Sequence, residues 1–266
     1  MRGRVAAGLL ALLIGCSAVA LRVLPYDYAS QDREATMAPA TAHHLAGTDA
    51  LGRDRAVRTA AALLIGLAGA TAAAGITTLI AGAVGLLAAF SPGWAAAALM
   101  FVSDAFLSVP WLFLLMMVRS LLPLTASPAE TAVATFLVLA ALGWPACARA
   151  VYRGAASLRS AEWMIQGHAC GLRNGQLIRL HLAPELRTLF VPQFLICVPA
   201  FLMAEANLGA LGLGVGEPMP SWGAMLMELD NSALLARTNW VYLPIVLLVA
   251  TLLILESFAK GDETNG

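Results

Sequence analysis

The chain has 266 residues, 60% of them hydrophobic and 12% charged, with a mean hydropathy of +0.78 and no net charge. A soluble domain carries about 25% charged residues, so this composition excludes an ordinary soluble globule and points to an integral membrane protein. The balanced charge offers no handle for nucleic acid.

A helix needs about 20 apolar residues to cross the hydrocarbon layer. Six windows qualify: 5–24, 60–90, 94–122, 130–150, 186–208 and 239–257. The first follows Met1-Arg2-Gly3-Arg4 and resembles a secretory signal, and Leu13-Ile14-Gly15-Cys16 resembles a lipoprotein processing site. With further spans downstream, the expected reading is an uncleaved anchor that keeps Arg2 and Arg4 in the cytoplasm. Ser91-Pro92-Gly93 reads as a tight turn, which makes the second and third windows an antiparallel pair. Within the third, Pro110 should kink the helix and free backbone carbonyls.

The polar connections are 25–59, 151–185 and 216–238. The second, with its flanks, holds Arg149, Arg153, Arg159, Arg173, Arg179 and Arg187 against Glu162 and Glu185. The positive-inside rule places it in the cytoplasm, and an even number of spans puts both termini on that side. Connection 25–59 mixes Arg33, Arg53, Arg55 and Arg58 with Asp27, Asp32, Glu34, Asp49 and Asp54, and is acceptable outside. The expected organisation is a first helix and external loop over 1–59, a helical transmembrane domain over 60–258, and a short cytoplasmic tail over 259–266.

Catalytic patterns are missing from the sequence. There is no GxxxxGK[ST], no HExxH and no GxSxG. The glycine-rich run Gly209 to Gly216 has no Lys, Ser or Thr and reads as a helix end bending into a turn. Cys16, Cys147, Cys170 and Cys197 are scattered, and His43, His44, His168 and His181 lack ligand spacing. No metal site or cofactor is expected. Asp104, Ser108 and Pro110 in the third window and Glu205 in the fifth are polar or helix-breaking groups at membrane depth. They either line a translocation path or sit in helix packing, and the two readings stand level.

One polar island interrupts the apolar chain, from Ser157 to Pro184. Ser157 is a plausible N-cap for a helix over 158–169, and Gly171 supplies a left-handed turn. Residues 173–182 can form a second short helix, with Leu177, Ile178 and Leu180 as its apolar stripe and Arg179 on another face. Pro184 stops it. Two exposed short helices make a knob for a soluble partner's groove.

The island resembles the cytoplasmic coupling loop of binding-protein-dependent ABC importer permeases, with Gly171, Leu182 and Pro184 at the corresponding places. It departs from that family where Ile165-Gln166-Gly167 replaces Glu-Ala-Ala. His44-Leu-Ala-Gly47-Thr48-Asp49-Ala-Leu-Gly52-Arg53-Asp54 is similar to the family's HxxGTDxxGRD stretch. Glu205-Ala206, Leu211-Gly212-Leu213-Gly214-Val215, Pro218 and Pro220-Ser221-Trp222-Gly223 resemble its EAxLSFLGLGVxxPxPSWG stretch, with Gly209 and Ala210 where Ser and Phe are usual. The chain is identified as a divergent member of the second-permease type found in dipeptide, oligopeptide and nickel importers.

The resemblance implies an all-α polytopic protein of about six transmembrane helices, with the type I importer fold and cytoplasmic coupling helices. It implies a non-catalytic subunit of the bacterial inner membrane, carrying peptides or a nickel chelate. Its partners would be a second permease subunit, two ATP-binding cassette subunits and an extracytoplasmic binding protein. Ile165, Gly167, Gly171, Arg173, Leu177, Arg179, Leu182 and Pro184 would meet the ATPase. Gly47, Thr48, Asp49, Gly52, Arg53, Asp54, Gly212, Gly214, Pro220 and Trp222 would form the external motif. The alternative is an ion- or proton-coupled carrier acting alone, with Asp104 and Glu205 as its carboxylates.

Overall fold

The structure is a computed structural model that describes residues 2–120, 126–159, 161–162, 166, 170–171, 183–230 and 239–263. Among these residues it is helical, without a strand beyond one isolated bridge between Thr48 and Asp54.

Helix α1 spans Arg2–Val23. Helix α2 spans Arg55–Phe90 and starts where Asp54 accepts a hydrogen bond from the Val57 N–H at 2.9 Å, an N-cap that satisfies one of the free donors of the first turn. It ends before Ser91-Pro92, the turn expected there, and α3 follows over Gly93–Ser108. The third apolar window is not one helix. It breaks at Val109, whose backbone is extended, and resumes as α4 over Trp111–Ser120. Pro110 has no N–H to give the Phe106 carbonyl, and its ring disfavours helical backbone at Val109.

Helix α5 spans Pro128–Arg159. Ser127 and Glu130 form a reciprocal capping box at its start. The Ser127 N–H donates to Glu130 at 2.7 Å, and the Glu130 N–H to the Ser127 Oγ at 3.3 Å. Its far end overturns part of the sequence reading. Arg149, Arg153 and Ser157, expected in or beside the loop, lie on this helix, which runs past residue 150 to Arg159. Ser157 is therefore not an N-cap; its hydroxyl donates back to the Gly154 carbonyl at 2.7 Å. Ala and Arg are good helix formers, and an arginine near a helix end can extend its head to the membrane surface without ending the helix.

Helix α6 spans Ala183–Ala210. Pro184 lies in its first turn, where a missing N–H costs nothing, so it opens this helix. A short α7, Trp222–Met227, is capped by Ser221, and α8 spans Leu243–Glu263. Helices α1, α2, α5, α6 and α8 are long and apolar enough to cross a membrane. The third window is the α3–α4 pair, in which α3 alone has 16 residues, about 24 Å of rise.

The core lies where α2, α5 and α6 meet, built on Leu63, Leu67, Phe136, Leu139, Phe201 and Leu202. Small residues let these helices approach closely. A Cβ on Gly85 would stand 2.8 Å from the Ala148 carbonyl oxygen of α5. Thr77 of α2 donates to the Ala140 carbonyl of α5 at 2.9 Å, and the Cys147 and Cys197 sulfurs meet at 3.4 Å between α5 and α6. Helix α1 lies outside, against α8 and α2.

Candidate functional site

The two external motifs, far apart in sequence, come together over the start of α2. In the first, Gly47 (φ +71°) and Gly52 (φ +77°) turn the chain where a side chain would strike backbone. Cβ atoms there would lie 2.5 Å from the Ala38 oxygen and 1.9 Å from the Asp32 oxygen. Thr48 accepts from the Ala38 N–H at 2.9 Å and donates to the Ala35 carbonyl. Asp49 accepts from the N–H groups of Leu51 and Arg53, at 2.8 and 2.9 Å, and from Arg53 Nε at 2.6 Å. Asp54 caps α2 and also meets His44 Nδ1 at 2.9 Å; the His44 ring stacks on Tyr26.

The second motif closes the end of α6. Gly212 (φ +73°) takes the left-handed position after the helix, with Leu213 N–H bonded to Leu208 O at 2.8 Å and Gly212 N–H to Gly209 O at 2.9 Å. This is the Schellman pattern, and it leads the chain away from the helix axis. Gly209 is packed between Gly214 and Gly223, backbone against backbone. The Trp222 indole is buried and fills the space above Gly66. Pro220 precedes the Ser221 cap, and the Glu217–Pro218 bond is cis.

Arginines join the two motifs. Arg53 donates to Glu217, and Arg58 donates to both Glu217 oxygens at 3.3 and 3.4 Å. Arg58 also donates to the carbonyls of Tyr28 and Pro218, at 3.2 and 3.1 Å. Arg55 donates to Glu228 at 2.7 Å. Burial opposes the charge on Arg53, but its hydrogen bonds to Glu217 and Asp49 and their negative charge outweigh this and hold its pKa above the ordinary guanidinium value. Sequence patterns alone do not pick out Asp32, Arg55, Arg58, Glu217 and Glu228 as site residues. Arginines clustered in a polar connection need counter-charges, and the acids of connection 216–238 are the signal that could have found them.

The membrane-depth groups divide. Asp104 of α3 forms an ion pair with Arg149 of α5, and the two side chains are 45% and 42% exposed. Arg149 stands 21 residues along the 32-residue α5, about 31 Å from its start, so the pair lies toward the far end of that helix and not at its middle. Ser108 is exposed one turn above, bonding its own helix at the Ala105 carbonyl, and Pro110 forms the break beyond it. Glu205 is elsewhere. It is 1% exposed, deep against α7, with its carboxylate turned to Ser221 and the first N–H groups of that helix but outside hydrogen-bonding geometry.

Of the coupling-loop residues, Gly171 is described and has φ +80°, and a Cβ added to it would meet no described atom within 4 Å. Pro184 is placed by its backbone only. Ile165, Gly167, Arg173, Leu177, Arg179 and Leu182 lie outside the described residues.

Residues 81–260 match the family described as binding-protein-dependent transport system inner membrane component. The chain is 32% identical to an oligopeptide transport system permease protein of Mycobacterium tuberculosis, over 91% of this chain and 82% of the relative. It is 30% identical to an oligopeptide transport system permease protein of Haemophilus influenzae, over 95% and 80%. It is 31% identical to a glutathione transport system permease protein of Pectobacterium atrosepticum, over 94% and 79%.

Proposed function

Since this chain belongs to the family of binding-protein-dependent transport system inner membrane components, we propose that it carries peptides across the bacterial inner membrane as one half of an ATP-driven pore. It is a multi-pass permease subunit of an ABC importer. The observation that carries the peptide reading is similarity along more than nine-tenths of the chain to oligopeptide and glutathione permeases. The two motif stretches, docked on each other through Arg53, Arg58 and Glu217, support it.

In this reading a second permease completes the pore, two ATP-binding cassette subunits dock from the cytoplasm, and an external binding protein delivers the cargo. Both termini face the cytoplasm, and the ion-pair cap faces out. The segment around Gly171, from Ile165 and Gly167 through Arg173, Leu177, Arg179 and Leu182 to Pro184, is the docking knob. Closure of the ATPase pair moves it and switches the helices between inward- and outward-open forms. Asp104, Ser108 and Pro110 belong to the path; Glu205 is placed in the packing beneath the outer cap. A carrier acting alone on protons needs free carboxylates that its path can reach, whereas Asp104 is paired with Arg149 and Glu205 is 1% exposed.

Gly171 tests the knob. A bulky side chain there strains a left-handed backbone yet starts out clear of the described residues. Gly171→Trp should leave the amount of protein in the membrane unchanged and lower co-purification of the ATPase at least tenfold. Normal ATPase association and normal uptake in this variant would remove the assignment.

A further inference from the structure

We propose that a groove between α6 and α8 binds one molecule of phosphatidylethanolamine, with an acyl chain along its apolar walls, the phosphate on Lys260 and the ammonium on Glu256. The site is separate from the pore and does not depend on what the pore carries. A cavity, its lining and the charges at one end of it converge on this ligand.

The cavity has a volume of about 570 Å³, within the range of about 300–1,000 Å³ usual for small-molecule clefts. Ile196, Pro199, Ala200 and Met203 of α6 form one wall, and Leu252 of α8 the other. Ile196 and Met203 lie seven residues apart on one face of α6 and are both exposed. Pro199 and Ala200 stand between them with short side chains, which leaves a trough along the helix. Helices α6 and α8 pack on each other, and each is long and apolar enough to cross a membrane. An apolar trough on such helices meets hydrocarbon chains, not water.

The charges sit at one end of the trough, at a membrane surface. Glu256 and Lys260 line the same cavity. Lys260 is the chain's single lysine; it ends the apolar span Trp240–Lys260 and is followed by Gly261-Asp262-Glu263. Its long stem carries the ammonium out to the headgroup layer. Glu256 stands one turn earlier, about 6 Å along the helix. The two pair at 3.6 Å with side chains 57% and 76% exposed. An exposed pair of this kind holds together weakly, so a ligand bearing both charges can replace it. The phosphate then takes the place of Glu256 at Lys260, and the ligand's ammonium that of Lys260 at Glu256. No charge is left uncompensated in either state.

The surroundings select the headgroup. Between residues 256 and 263 one Lys faces Glu256, Asp262 and Glu263, which disfavours a lipid of net negative charge. The negative end of the α8 dipole acts in the same direction. A choline headgroup is neutral overall, but its nitrogen is fully methylated and has no N–H to give Glu256. The ethanolamine ammonium has three donors, as a lysine ammonium does.

The test uses the complete transporter in vesicles, with trace phosphatidylethanolamine, phosphatidylcholine or phosphatidylglycerol carrying the same photoreactive acyl chain. Labelled segments are mapped by mass spectrometry at equal amounts of assembled complex. The ethanolamine probe should label 196–203 and 252–259, at least fivefold more than either other probe. Lys260→Gln should lower this labelling at least fivefold, and Lys260→Arg should keep at least half of it. Glu256→Gln should abolish the preference for ethanolamine over choline. Ala200→Phe, which fills the trough, should lower labelling at least fivefold. Leu253→Phe, on an exposed face of α8 outside the cavity, should leave it unchanged. Equal labelling by the ethanolamine and choline probes would mean ordinary bulk lipid, and stronger labelling by the glycerol probe a different ligand. No labelling of these segments would place the groove under another subunit. Each of these results, or labelling indifferent to Lys260→Gln, would overturn the proposal.

Discussion

Asp49→Ala should be the most damaging single change in the ion-paired cap over α2, costing about 3–5 kcal/mol, the range for removing one partner of a buried ion pair. Asp49 is 2% exposed and holds the N–H groups of Leu51 and Arg53 as well as the Arg53 guanidinium. Arg58 Nε lies 3.7 Å from the same carboxylate. Without it, the turn loses its hydrogen bonds and buried arginines lose negative charge. The melting temperature of the detergent-purified chain should fall by roughly 6–20 °C at 2–4 °C per kcal/mol for a chain of this order of size. Asp49→Asn should fall between the two, because an amide oxygen can still accept the backbone bonds. Glu217→Gln should cost less again, because Glu217 is about half exposed and solvent weakens such pairs to about 0–1 kcal/mol. The ordering Asp49→Ala, Asp49→Asn, Glu217→Gln is the signature; an Asp49→Ala protein melting within a degree of wild type would contradict it.

Gly223→Val should be nearly as severe, for a steric reason. A Cβ on Gly223 would lie 2.2 Å from Gly209 Cα and 2.6 Å from the Ala206 oxygen. Both obstacles are backbone of α6, which cannot rotate aside as a side chain can. Overpacking ordinarily costs about 1–3 kcal/mol, and a contact with backbone belongs at or above the top of that range. Helix α7 would have to lift off α6, drawing Trp222 out of the space above Gly66. Trp222 is buried, so its fluorescence should shift to longer wavelength as water reaches the indole, while the melting temperature drops. Gly15→Val, at a position with no described neighbour within 4 Å, should do neither. Unchanged emission and melting in Gly223→Val would show that the glycine contact does not hold α7 in place.

The spans are legible in the sequence because the hydrocarbon layer demands long apolar runs, and α2, α6 and α8 stand close to the windows read for them. The Pro110 break is legible too, since the chemistry of proline acts locally. The end of α5 is not, because arginines mark loops and helix ends alike. On a helix near the membrane surface they are equally at home, and Arg149 is held by Asp104 of a neighbouring helix. The external motifs are recognisable as patterns, but what they do together is not. Arg53 and Glu217 are 164 residues apart, and only the fold brings Glu217 under two arginines. The mixed charge of connection 25–59 is indecisive for topology for the same reason: Arg53, Arg55 and Arg58 are neutralised by Asp49, Glu217 and Glu228.

Uptake of a labelled tripeptide by the reconstituted complex is the most direct test of the central claim, that this chain is the permease of an ATP-driven peptide importer. The expected result is accumulation that needs the binding protein and ATP, and that stops when ATP hydrolysis is blocked in the partner subunits even with a proton gradient maintained. Accumulation driven by the gradient alone, with hydrolysis blocked, would contradict it.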